Sequence, residues 1–129
     1  MRFMFIIKSE TETMPPPEMM GAMHDLAAGE IAAGRMIQDG GLMPRSAAKE
    51  VRIRKRKLMV LDGPFTETKE VIGGFAIFEL PDEAAAIESA RKFLDLHLKF
   101  MPDWEGTCEV RQIAGSQVDL IRGGQTAPA

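Results

Sequence analysis

An α+β fold is predicted by three features of this 129-residue sequence. Strand-like and helix-like segments alternate along it, two segments read as long helices, and the strongest strands carry apolar side chains on both parities, so each needs cover on both faces. The first strand is Arg2 to Lys8, with Phe3, Phe5 and Ile7 on one side and Met4 and Ile6 on the other. Pro15-Pro16-Pro17 follows. Proline's missing N–H does no harm in a first helical turn, so a helix is predicted from Pro17 to about Asp39, stopped by Gly40-Gly41. Val51 to Leu61 returns to strand and breaks near Lys55 to Lys57, which reads as a hairpin without the usual Asn-Gly or Asp-Gly turn. Val71 to Leu80 is the next strand, with Phe75 and Ile77 opposed to Ala76, Phe78 and Leu80. Asp82 then caps a second helix that runs to about Phe100, Pro102 closes it, and Cys108 to Ile113 is the last strand. Residues 1–115 form the domain and 116–129 a flexible tail.

Strand, helix, strands, strand, helix, strand is the ferredoxin-like order, an antiparallel sheet with both helices on one face. Two helices cover one side, and no spare amphipathic segment remains for the other. The second side is therefore predicted to meet another copy of itself in a twofold homodimer.

Composition narrows the function classes. With 45% hydrophobic and 27% charged residues the chain can bury one core without metal or disulfide. No apolar run approaches the roughly 20 residues of a membrane helix, and Lys8 and Glu10 end the N-terminal run too soon for a secretory signal. Cys108 is the only cysteine, so an intrachain disulfide is impossible and a cytoplasmic location is expected. Net charge is −3, and the basic cluster of Arg52 and Arg54 to Lys57 is short and free of aromatics. It reads as a solvated hairpin tip, and direct nucleic-acid binding is not expected. There is no Cys/His cluster at zinc spacing, no Walker-type loop and no GxSxG, so no metal or cofactor is expected.

Several residues could carry chemistry. Projected on the first helix, Met19, Met23, Ala27, Gly34 and Ile37 form the apolar stripe with Glu30 near its centre, while Asp25 and Asp39 point to solvent. A carboxylate there needs a basic partner, a raised pKa or an opening to a cavity; a structural ion pair and an acid/base role both fit. Gly34, one turn on, would leave room beside it. On the second helix the stripe is Ala84, Ile87, Ala90, Leu94, Leu98 and Met101, with His97 at its edge, a usable acid or base or a packed imidazole bonded to backbone. On the last strand, Glu109 and Arg111 share a face, as a surface pair or the wall of a polar pocket. In LDGPFTETKEVIGGFAIFEL, Asp62-Gly63-Pro64 has strong turn chemistry, with Phe65 packing back as a plug. Turn geometry does not account for Lys69, and Gly73-Gly74 inside a strand predicts a bulge or the close approach of another backbone or ligand. The catalytic candidates are thus Glu30, His97 and Asp62. The ligand-binding candidates are Lys69, Gly73, Gly74, Phe75, Trp104, Glu109 and Arg111.

DGPFTETKE followed by GGF resembles the signature of the DGPF branch of the YCII-related family, and the resemblance extends from Met1 to Ile113, through FLDLH, the Pro102 to Glu105 segment and the closing Glu109 to Arg111. It implies a ferredoxin-like subunit in a dimeric α+β barrel. The family's biochemical role is largely unassigned, but shorter relatives carry a histidine on the first helix and an aspartate after the second, a dyad that suggests enzymatic chemistry. Counted back from Gly41, the histidine's place falls near Glu30, and the aspartate's around Asp95 to His97. A carboxylate on the first helix and an imidazole on the second would keep an acid/base pair. Two functions are implied: a binder of a small metabolite, extending to isomerase- or lyase-like acid/base chemistry, and an accessory protein of extracytoplasmic-function sigma factors.

Overall fold

The computed structural model describes residues 1–11, 13–63 and 71–124. Its elements are β1 (Arg2–Ser9), α1 (Pro17–Ala32), β2 (Met36–Gly41), β3 (Lys49–Arg54), β4 (Lys57–Asp62), β5 (Val71–Glu79), α2 (Glu83–Phe100), β6 (Gly106–Gln112) and α3 (Gln117–Arg122), with a short 3-10 turn at Arg45–Ala47. β2, β5, β1 and β6 lie side by side in that order, every neighbour antiparallel, which is the ferredoxin-like sheet. β3 and β4 form a separate hairpin inserted between β2 and β5.

The sheet's two faces differ. Phe3 and Phe5 of β1, with Phe78 and Leu80 from the β5 side, are buried beneath Ala86 and Ala90 of α2, and the Phe5 and Phe78 rings stack 4.7 Å apart. The small alanines let α2 come close to these rings. For that reason the helix is rotated from the predicted stripe: Ala90 is buried as expected, with Ala86 and His97, while Ile87 and Leu98 are exposed, so His97 lies inside rather than at the edge. The opposite parity, Met4 and Ile6 of β1 with Phe75 and Ile77 of β5, points away from α1 and α2 and is only half-buried.

Both predicted helix starts are correct. Pro17 opens α1, and the Asp82 carboxylate accepts a 2.8 Å hydrogen bond from the Ala85 N–H, satisfying one of the donors a helix start leaves unpaired. The predicted end of α1 is not. Gly34 has φ +75°, its N–H donates to the Ile31 carbonyl, and the Arg35 N–H donates to the Glu30 carbonyl. This paired six-to-one and five-to-two closure is a Schellman stop, which needs a left-handed residue that glycine adopts without strain. The helix therefore ends at Ala32, and Met36 to Gly41, read as helix from sequence, is the edge strand β2. Gly34 and Ile37 leave the helical stripe with it.

Part of the predicted tail is ordered into α3, capped by Ser116 and tied to the sheet through the Arg2 to Asp119 ion pair at 2.8 Å. The described residues contain no helix long and apolar enough to cross a membrane.

Candidate functional site

Between the inner face of the sheet and the two helices lies a cavity of about 570 Å³, within the range of small-molecule sites. Phe5, Ile7, Ala76 and Phe78 floor it; Met19, Met23, Leu26 and Ala27 of α1 and Phe93 of α2 wall it; Met14, Met36, Met43 and Met101 complete a lining rich in methionine. Thioether side chains are polarisable and adaptable, so such walls suit an apolar ligand of variable outline. The polar side chains are Ser9, Thr11, Thr13, Glu30, Asp39, Ser89, Lys92 and His97.

His97 is the only buried imidazole among the described residues. Its ring lies 4.2 Å from Trp104 and edge-on to Phe93 at 5.0 Å. Gly106 makes this possible, because a Cβ there would sit 2.3 Å from the indole. His97 Nδ1 lies 3.3 Å from the Phe93 carbonyl oxygen. A carbonyl only accepts, so Nδ1 carries the proton and Nε2 the lone pair. Nε2 has no partner among the described residues and is not sealed from solvent, and the residue lines the cavity. Burial pushes the imidazole's pKa down, opposed in part by the Phe93 bond, and the ring is held as a neutral base.

Glu30 also lines the cavity, but both of its oxygens are bound by one cation. Arg35 Nε donates to Oε2 at 2.5 Å and Nη2 to Oε1 at 3.1 Å, a bidentate pair. The Schellman stop produces it: the glycine at position 34 turns the chain so that the next residue lies back over the last helical turn. Apolar groups commonly meet at these positions; here a guanidinium meets a carboxylate. The Arg35 hydrogen bonds hold the Glu30 carboxyl below its usual range against the opposing effect of burial, with Lys92 a minor contributor. Of the outcomes anticipated for Glu30, the basic partner and the cavity are both present, and the raised pKa is not.

The remaining candidates divide. Gly73, Gly74 and Trp104 border the cavity, and Phe75 reaches its rim although its register with Ile6 puts it on the sheet's other face. Gly73 is the extra residue of a β-bulge, since Ile7 pairs with Gly74 and Lys8 with Ile72. Gly74 lies so close to β2 that a Cβ would come 2.9 Å from the Gly40 carbonyl oxygen. Asp62 stands apart from Glu30 and His97: it is exposed on the hairpin and paired with Lys49 at 2.8 Å. Glu109 and Arg111 do not wall the cavity either. They pair with Met4 and Ile6 in register and so project from the other face, where Glu109 binds Lys8 at 2.9 Å and also contacts Arg111, interactions that lower the Glu109 pKa. Lys69 and Phe65 lie outside the described residues.

Several polar lining residues escaped the sequence reading, among them Ser9, Thr11, Thr13, Asp39, Ser89 and Lys92. Asp39 was placed on the solvent side of a helix that ends before it, whereas in β2 it pairs with Ala76 on the inner face. Ser89 and Lys92 were passed over, although Ser89, Phe93 and His97 recur at the i, i+4, i+8 spacing that aligns side chains along one helix face.

Residues 1–93 match the YCII-related domain. The chain belongs to the YCII-related family. It is also similar to an uncharacterized protein of Rhizobium meliloti (strain 1021), with 30% identity over 110 residues that cover 83% of this chain and 85% of that one. The antiparallel sheet and paired helices agree with the subunit fold that the DGPFTETKE resemblance implies.

Proposed function

We propose that this YCII-related protein binds a small, largely apolar metabolite in the cavity between sheet and helices, and that His97 Nε2 takes a proton from it or accepts a hydrogen bond from it. The observation that carries this reading is a neutral, buried imidazole in the wall of a largely apolar cavity, with one nitrogen bonded to its own helix and the other without a partner among the described residues. A base of that kind matches isomerase- or lyase-like proton transfer. Glu30, ionised and bound by Arg35, has no proton to give, so the acid/base pair suggested by the family resemblance reduces to its imidazole member. The apolar outer face of the sheet supports a homodimer in which two such faces meet.

The test is native mass spectrometry of the protein taken gently from its own host. A dimer retaining a small adduct is expected, with the adduct lost in His97→Leu. The same adduct on His97→Leu would remove the role of His97; a wild-type dimer without adduct that also binds nothing in a metabolite screen would remove the pocket. The accessory role beside a sigma factor has its own support in an exposed aliphatic surface on the hairpin, and co-purification of a sigma factor would favour it.

A further inference from the structure

The β3–β4 hairpin is the part of the molecule that its own body leaves unexplained. Its register pairs Val51 with Val60 and Ile53 with Leu58, so these four aliphatics share one face. They are 72–74% exposed. The other face carries the Glu50 and Arg52 ion pair with Leu61 and Met59. Neither strand packs to any substantial extent on another helix or strand among the described residues. A lone two-stranded hairpin is marginally stable at best in water, and a bare aliphatic face makes it worse.

The tip carries a second signal. Arg54 pairs with Lys57, so Lys55-Arg56 is a two-residue turn, and both residues have positive φ, +50° and +66°. Asn-Gly would adopt this type I′ geometry with little strain. The sequence instead holds two cations there in a conformation that a Cβ disfavours. Between Lys49 and Asp62 there are six basic and two acidic residues, a net charge of +4; the whole chain is −3, so the remainder carries −7.

A basic arm with a bare aliphatic face and a body of net charge −7 are complementary in charge, and among the described residues of one chain they do not pack together. The geometry points to a second copy of this chain as the occupant: the β3–β4 hairpin is an arm that lays its Val51, Ile53, Leu58 and Val60 face on the body of a partner protomer, reciprocally across a twofold axis. This rests on the homodimer reading and adds to it the element that clasps the partner.

Sedimentation equilibrium on the full chain and on Ile53→Lys/Leu58→Lys tests it, with circular dichroism confirming the fold. The wild type is expected to dimerise, less tightly as salt is raised, and the double variant to dissociate roughly a hundredfold more readily. The added lysines favour an acidic partner electrostatically, so weakening reports lost aliphatic packing. If that variant misfolds, the gentler Val51→Thr/Val60→Thr should still weaken the dimer measurably. A wild-type dimer matched in strength by both variants overturns the arm and leaves the sheet-to-sheet dimer standing; a wild-type monomer overturns both. Hairpin amides protected from hydrogen exchange only on addition of a sigma factor, or of phosphatidylglycerol vesicles, would assign the surface to another partner and overturn the proposal.

Discussion

α1 and α2 each bring one ionisable group to the cavity, and the two are built in opposite ways. Glu30 is ionised, held by two bonds from Arg35 and fixed by the geometry that ends its helix. His97 is neutral, held by one bond from within its helix and by its contact with the tilted Trp104 ring, with its second nitrogen unpartnered among the described residues. Burial alone therefore does not mark a reactive group. What separates the two is that a bidentate cation occupies both oxygens of Glu30, while one ring nitrogen of His97 has no partner among the described residues.

That contrast fails if the substitutions behave alike. Glu30→Gln breaks a charge-assisted pair on a nearly buried residue and is expected to lower stability by about 2 kcal/mol, read from urea unfolding, while any adduct is retained. His97→Leu keeps volume and apolar contact, so it should cost less than about 1 kcal/mol while abolishing the adduct. The reverse pattern would exchange the two roles.

Next in size is Gly34→Ala. No atom lies within 4 Å of the added methyl, so its expected cost of about 1 kcal/mol is backbone strain alone. A shift in the acid unfolding step assigned to Glu30 should accompany it, because the turn sets the Arg35 bond. Unchanged stability would mean that the chain finds another way to end α1.

Acid unfolding sharpens the comparison further. The His97 pKa is lowered on folding, so between its ordinary value near 6.5 and the lower folded value the unfolded chain binds more protons and stability falls with falling pH. Glu30 is also lowered, from near 4.5, and its contribution is complete above that value and lost as pH falls through the folded pKa. Two separate decreases are expected in denaturation midpoint against pH, the upper absent in His97→Leu and the lower reduced in Glu30→Gln, where Glu109, also lowered on folding, still contributes. The smallest effect is that of Lys92→Met. Lys92 is the last and weakest influence on the Glu30 carboxyl, so removing it should raise the lower step only slightly.

Much of the scaffold was legible because proline, a capping aspartate and two-sided strands speak for themselves in sequence. Pro17 and Asp82 mark helix starts through backbone chemistry that no tertiary contact alters. Helix ends and faces were harder. Met36 and Ile37 continued an apolar pattern past Gly34, and only the left-handed φ of Gly34 shows that the glycine, rather than Gly40-Gly41, stops α1. On α2 the larger aliphatics drew the predicted stripe, but proximity to Phe3, Phe5 and Phe78 favours alanine, so the helix is rotated and His97 goes inward. Within the site, Glu30 and His97 were readable as polar groups among apolar ones. Asp39 was hidden by the misplaced helix end, and the exposed position of Asp62 by a turn motif whose chemistry resembles that of a site.

Cys108 sits on the inner face of β6, half-buried against the core, and burial pushes its thiol pKa up to about 11. At neutral pH about one molecule in ten thousand would then carry the thiolate. The native chain is therefore close to silent toward maleimides and other thiol reagents. A cysteine engineered at the cavity mouth or on the hairpin tip would report alone, so fluorescent or spin labels can follow ligand entry and arm movement in an otherwise unaltered protein.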